Sequence, residues 1–213
     1  MFKIKPLKRT FILLLVLVMM LAILVNYQTS QVPRNKVVRP APMADLIVNL
    51  PDDFAFRQDN PKWGARKLGK TDDSLSDYGC TLTSVAIAAS NLLKTEISPA
   101  EMNTRLTDVG GFTKTGLLIW KHVSTATDGK LRAVMTTDPS HEAITQCMQT
   151  GGYPIIKIDI GERINHWVVI VGKSEDDYYI RDPLIGQASD SPVALSSRSD
   201  YIYATRCVSL NTD

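Results

Sequence analysis

Hydrophobic and polar positions change their pattern three times along the chain. The first regime is an unbroken apolar run from Phe11 to Val25, "FILLLVLVMMLAILV", with no polar face. As a helix it would span roughly 22 Å, short of the roughly 30 Å hydrocarbon core and typical of the apolar part of a signal peptide. Lys3, Lys5, Lys8 and Arg9 precede it and predict a cytoplasmic N-terminus. Residues 1–26 therefore read as a signal anchor or a signal peptide; "LVNYQTSQV" offers no clean small-residue cleavage pattern. From Asn26 to Pro42 the chain turns polar and proline-punctuated, which predicts an extended spacer over 27–44 and a folded domain over 45–213.

The next regime has helical spacing. Leu82, Val85, Ala86, Ala89 and Leu93 recur on one face of a helix expected to start at Cys80. "SPAEMNTRL" announces a second, with Ser98 as N-cap, Pro99 in the first turn and Glu101 completing a capping box. A third is expected through "LLIWKHVSTAT", and a fourth through "PSHEAITQCMQT", stopped by Gly151-Gly152. After that pair the pattern becomes short β-rich runs: "YPIIKIDI", "HWVVIVGK", "YYIRDP" and "YIYATRCVSL". Helices followed by consecutive strands predict an α+β fold, a helical half facing an antiparallel sheet.

Composition narrows the function. The chain has 213 residues and a formal net charge of +2, far from the basic footprint of a nucleic-acid binder. It lacks C-x-x-C, H-E-x-x-H, P-loop and G-x-G-x-x-G patterns, so neither metal nor organic cofactor is expected. Export changes the meaning of its three cysteines, because thiols pair in oxidising compartments. If Cys80 reacts, Cys147 with Cys207 is the only bridge that leaves it free; the alternative is three buried, reduced thiols.

Cys80 follows Gly79 at a helix start, where unpaired N–H groups and the helix dipole favour thiolate. The plain alternative is a packing cysteine. Of three histidines, His122 and His141 fall inside or at the start of helices and read as surface or packing residues. His166 begins the strand "HWVVIVG" at the sheet rim. If "SEDD" turns that strand into the one starting at Tyr178, the open end of the hairpin carries both His166 and Asp182. A carboxylate there can orient an imidazole; it can equally be a strand-ending turn before Pro183. Trp63, Trp120 and Trp167 read as core or groove walls.

"YGCTLTSVAIAA", "NHWVVIVG" and "YYIRDPL" resemble the segments around the catalytic residues of C39-like, papain-fold cysteine peptidases. "FRQDNPKWG" is similar to that family's glutamine-bearing segment, and "PAEMNTRLTDVGGF" to the region between cysteine and histidine. The resemblance covers about Asp45 to Val208, with Gln, Cys, His and Asp in the family's order. It implies Cys80 as nucleophile, His166 as general base and acid, Asp182 as its orienter, and Gln58 with the Cys80 N–H as oxyanion donors. The chain has no transporter or ATPase segment and so resembles the stand-alone branch, for which double-glycine leader cleavage is not implied. The expected activity is hydrolysis of a peptide or protein substrate through a thioester, outside the cytoplasm, with the membrane as partner through the N-terminal segment. The alternatives are an amidase or acyltransferase on cell-wall peptides, and a non-catalytic peptide-binding module.

Overall fold

The computed structural model describes residues 18–20, 48–136, 139–161, 164–185 and 190–212. The chain divides into two compact units, Met1–Arg34 and Asn35–Asp213. Of the first, only the helical residues 18–20 are described. The expected anchor over 1–26 otherwise lies outside the described residues, as does the spacer over 27–44. Among the described residues, no helix is long and apolar enough to cross a membrane.

The second unit is α+β. Its helices are α1 (Leu75–Tyr78), α2 (Cys80–Leu93), α3 (Pro99–Asp108), α4 (His122–Ala126) and α5 (His141–Gln149). Its strands are β1 (Val48–Asn49), β2 (Leu131–Thr136), β3 (Tyr153–Asp159), β4 (Asn165–Lys173), β5 (Tyr178–Arg181), β6 (Val193–Ala194) and β7 (Ile202–Leu210). They form one sheet in the order β2-β7-β3-β4-β5-β6, with β1 alongside β4. Every pairing is antiparallel.

The sheet is buried on both faces, which explains why "HWVVIVG" is apolar without alternation. Successive strand residues point to opposite faces. Tyr153, Ile155, Val169, Val171 and Val208 join the core built around α2. Their neighbours Ile156, Ile158, Val168 and Ile170 join a second core with Ile144 and Met148 of α5. The expected division into a helical half and a sheet half is thus modified: α5 covers the opposite face. A Cys147–Cys207 disulfide fastens it to β7, with Cα atoms 5.8 Å apart. Gly152 packs against both sulfurs, and a Cβ there would lie 2.8 Å from that of Cys207.

α2 is more deeply enclosed than a one-faced periodicity implies. Every residue from Leu82 to Asn91 is buried, whereas Leu93 is only half-buried. Three alanines in that stretch, Ala86, Ala88 and Ala89, let strands and α3 approach closely. Asn91 fastens the N-terminal segment to it, accepting from the Phe54 N–H at 3.1 Å and donating to Phe54 O at 2.8 Å.

α3 begins as expected: Ser98 Oγ accepts from the Glu101 N–H at 3.2 Å, with Pro99 in the first turn. The Glu101 carboxylate pairs with Arg105 at 2.6 Å. The helix expected over 117–127 shrinks to α4. Upstream, Gly116 at φ +76° permits a tight loop, and Thr113 N donates to Leu117 O at 2.8 Å while Ile119 N donates to Gly111 O at 2.8 Å. Those backbone groups therefore have loop partners in place of helical ones. β2, which no periodicity announced, is among the described residues an edge strand paired with β7 alone, and its neighbouring Val134 and Met135 are both exposed.

Candidate active site

One residue separates two helices at the candidate nucleophile. α1 is capped by Ser74, whose Oγ accepts from the Asp77 N–H at 3.1 Å. It closes on Gly79, whose N–H donates to Leu75 O at 2.8 Å. A Cβ at position 79 would lie 2.3 Å from that carbonyl oxygen, so only glycine lets the chain pass. α2 then begins at Cys80, whose thiol is free and half-buried. The first N–H groups of α2 have no partners inside the helix.

β4 brings His166 to this helix end. Ser84, one turn along α2, donates its hydroxyl to Trp167 O at 3.2 Å, tying helix to strand beside the histidine. The β4–β5 hairpin pairs Val169 with Arg181, which sets Asp182 against His166. The two meet at 2.6 Å, Nε2 to Oδ1, with side chains 2% and 0% exposed. Holding Nε2 leaves Nδ1 for the thiol. Asp182 Oδ1 also accepts the Leu184 N–H at 2.8 Å, while Oδ2 accepts Arg198 Nε at 2.8 Å.

The charges of these groups support one another. Burial pushes the Cys80 thiol up, but the hydrogen bond and charge of His166, the Trp167 N–H and the Thr81 hydroxyl together bring it below its ordinary value. Burial alone would lower His166; Asp182 and Cys80 outweigh it and raise the imidazole to about 9. Burial would raise the Asp182 carboxyl, yet His166, the Leu184 N–H and Arg198 hold it below the ordinary carboxylate range. All three directions favour thiolate, imidazolium and carboxylate.

Gln58 is buried between the same elements. Its N–H donates to Pro183 O at 3.0 Å, next to Asp182, and its Nε2 donates to Ser76 O at 2.7 Å, four residues before Cys80. One amide N–H is thereby occupied and a second remains; Oε1 is buried without a partner. No hydrogen bond joins Gln58 to Cys80 directly. His141 lies away from this cluster, stacked on Tyr178 with its Nδ1 3.0 Å from the phenol oxygen.

No family model and no curated protein sequence matches the chain. Among solved structures, a Bacillus anthracis protein described as a C39-like peptidase matches 79% of this chain and 100% of that one. The TM-score is 0.52 and the identity 13%. The chain has the fold of a C39-like peptidase. At this identity the likeness is one of fold.

Around the cluster, this peptidase-like fold assembles residues that no motif announced. Arg198, from the polar stretch after β6, clamps the buried carboxylate of Asp182. Arg57, held by Asp59 at 2.5 Å, adds a second positive charge near it. Beside Cys80 opens a cavity of about 370 Å³, walled by Thr81, Leu82, Phe112, Trp120, Trp167 and Arg206. Trp167 is a groove wall, 5.4 Å from Trp120 between ring centroids. Trp63 belongs to the core and donates its indole N–H to Arg57 O at 2.8 Å.

Proposed function

We propose that the chain is a papain-like cysteine peptidase, membrane-anchored or secreted, working outside the cytoplasm on peptide or protein substrates. The observation that carries this is the buried His166–Asp182 pair at 2.6 Å, tied by Ser84 and Trp167 to the start of α2 where Cys80 stands, with His166 lowering the thiol and Asp182 and Cys80 raising the imidazole. The Cys147–Cys207 disulfide fits an oxidising compartment, and the basic-then-apolar N-terminus supplies the route of export.

In this mechanism the Cys80 thiolate attacks the scissile carbonyl carbon and the carbonyl electron pair moves to oxygen. The second Gln58 N–H and the Cys80 backbone N–H donate to that oxyanion, a donor of this kind being worth roughly 3 kcal/mol of barrier. His166 gives its Nδ1 proton to the departing amine as the C–N bond breaks, leaving a thioester on Cys80. Neutral His166 then takes a proton from water, whose oxygen attacks the thioester; the product acid leaves and the thiolate–imidazolium pair returns. Asp182 keeps the ring oriented and stabilises its charge throughout.

A thiol-directed activity probe, with the labelled residue mapped by mass spectrometry, tests the assignment. Labelling confined to Cys80, and loss of peptide turnover in Cys80→Ala with the fold intact, is the expected result. Full activity in Cys80→Ala would refute it.

A further inference from the structure

The cavity beside Cys80 has apolar and aromatic walls with one cation set into them. Thr81 and Leu82 follow the proposed nucleophile directly, and Trp167 follows the proposed base, so this cavity adjoins both. Its volume, about 370 Å³, suits a side chain and not a folded partner. Arg206 projects from β7 onto the Trp120–Trp167 pair, its guanidinium carbon 5.7 and 5.6 Å from the two ring centroids.

Arg206 differs from the fold's other well-placed arginines. Arg57, Arg105, Arg181 and Arg198 each sit on a carboxylate. Arg206 has none among the described residues: Nη1 donates to Thr205 O at 2.8 Å, and Nε is buried with no partner at all. Asp73 also lines the cavity but forms no ion pair with it. Burial without an anion lowers the pKa of the guanidinium, a cost that stacking on two indoles offsets only in part. Anchored by its stacking and its Thr205 contact, the planar fork is preorganised for a carboxylate, which it can meet with two hydrogen bonds.

We propose that this cavity is a specificity pocket for a carboxylate on the substrate, its aliphatic stem lying against Leu82, Phe112 and Leu118 and its head on Arg206. The carboxylate comes from an acidic side chain near the scissile bond or from the end of the substrate chain. The consequence for turnover holds only if Cys80 is a peptidase nucleophile; the binding preference does not depend on it.

The test uses the full chain and a set of quenched fluorescent peptides. At each position flanking the cleaved bond Glu is compared with Gln, and a free C-terminus with its amide. The same peptides are titrated against Cys80→Ala by tryptophan fluorescence, since Trp120 and Trp167 flank the site. We expect a carboxylate at one position to raise both kcat/KM and affinity about tenfold over its amide, and Arg206→Gln to bring that ratio close to one. Arg206→Lys, which keeps a cation without the planar fork, should retain part of it. A Glu/Gln position effect identifies a side chain, and an acid/amide effect the chain end. Equal affinity for acid and amide forms throughout, or a preference that survives Arg206→Gln, overturns the pocket. A preference in binding without any cleavage by the parent chain supports the pocket while counting against the peptidase.

Discussion

Removing Arg198 is the perturbation that separates a tuned catalytic cluster from an incidental one. Asp182 has a fully enclosed side chain and three donors: His166 Nε2 at 2.6 Å, Leu184 N at 2.8 Å and Arg198 Nε at 2.8 Å. A hydrogen bond to a charged group contributes about 1.5–3 kcal/mol. The Arg198 side chain is 23% exposed, so water can replace part of what it gives. The lower end, about 1.5 kcal/mol, is therefore the expected loss of stability in Arg198→Ala, a fall in Tm of roughly 5 °C for a domain of this size. If a similar amount is lost from the orientation of the imidazole in the transition state, kcat/KM falls about tenfold. The acid limb of the pH profile should also move up, because Arg198 is one of the groups holding Asp182 below the carboxylate range. Arg198→Lys should restore part of the rate. Thermal melts and kcat/KM against pH are the assays. An Arg198→Ala enzyme with unchanged Tm, rate and acid limb would show that the clamp contributes nothing.

Further outcomes follow from neighbouring contacts. The pH profile of kcat/KM should be bell-shaped, with an alkaline limb near the raised His166 value of about 9; Asp182→Asn removes the largest upward influence on that ring and should move the limb down. The linked stability has a definite sign. The His166 contribution is complete below the ordinary value of 6.5 and is lost as pH rises through about 9. The Asp182 contribution is complete above 3.8 and is lost as pH falls through its lowered folded value. Reducing the Cys147–Cys207 bridge in a Cys80→Ala background should cost about 4 kcal/mol for a separation of 60 residues, on the order of 10 °C in Tm. Gly79→Ala should displace the start of α2 and cut activity more than it lowers Tm, because its Cβ meets the Leu75 carbonyl; equal activity in both forms would contradict that.

The parts legible in the sequence were those written in local patterns. The start of α2 follows from Gly79 and an apolar stretch, and the β4–β5 hairpin from two β-rich runs around "SEDD", so His166 and Asp182 could be placed at one open end. β2 was illegible because Ala133, Val134 and Met135 run together without alternation, the last two exposed on an edge strand. α4 was overestimated because Leu117 to Lys121 look helical, yet Gly116 and Thr113 capture their backbone in a loop. Arg198 and Arg206 could not be found by any pattern: one is a charge in a polar stretch, the other a charge in a strand. Each gains its meaning from groups far away in the chain, Asp182 sixteen residues earlier for the first and Trp120 for the second. Gln58 had only the family likeness to single it out, and its place beside Ser76 and Pro183 depends on how loops meet.

The most direct measurement is the alkylation rate of Cys80 by iodoacetamide from pH 4 to pH 10, read by mass spectrometry on the parent chain and on His166→Ala. A thiolate sustained by the imidazole predicts rapid labelling well below the ordinary thiol value of 9.0, lost when His166 is removed. Rates that climb only toward pH 9 and coincide in the two proteins would contradict it.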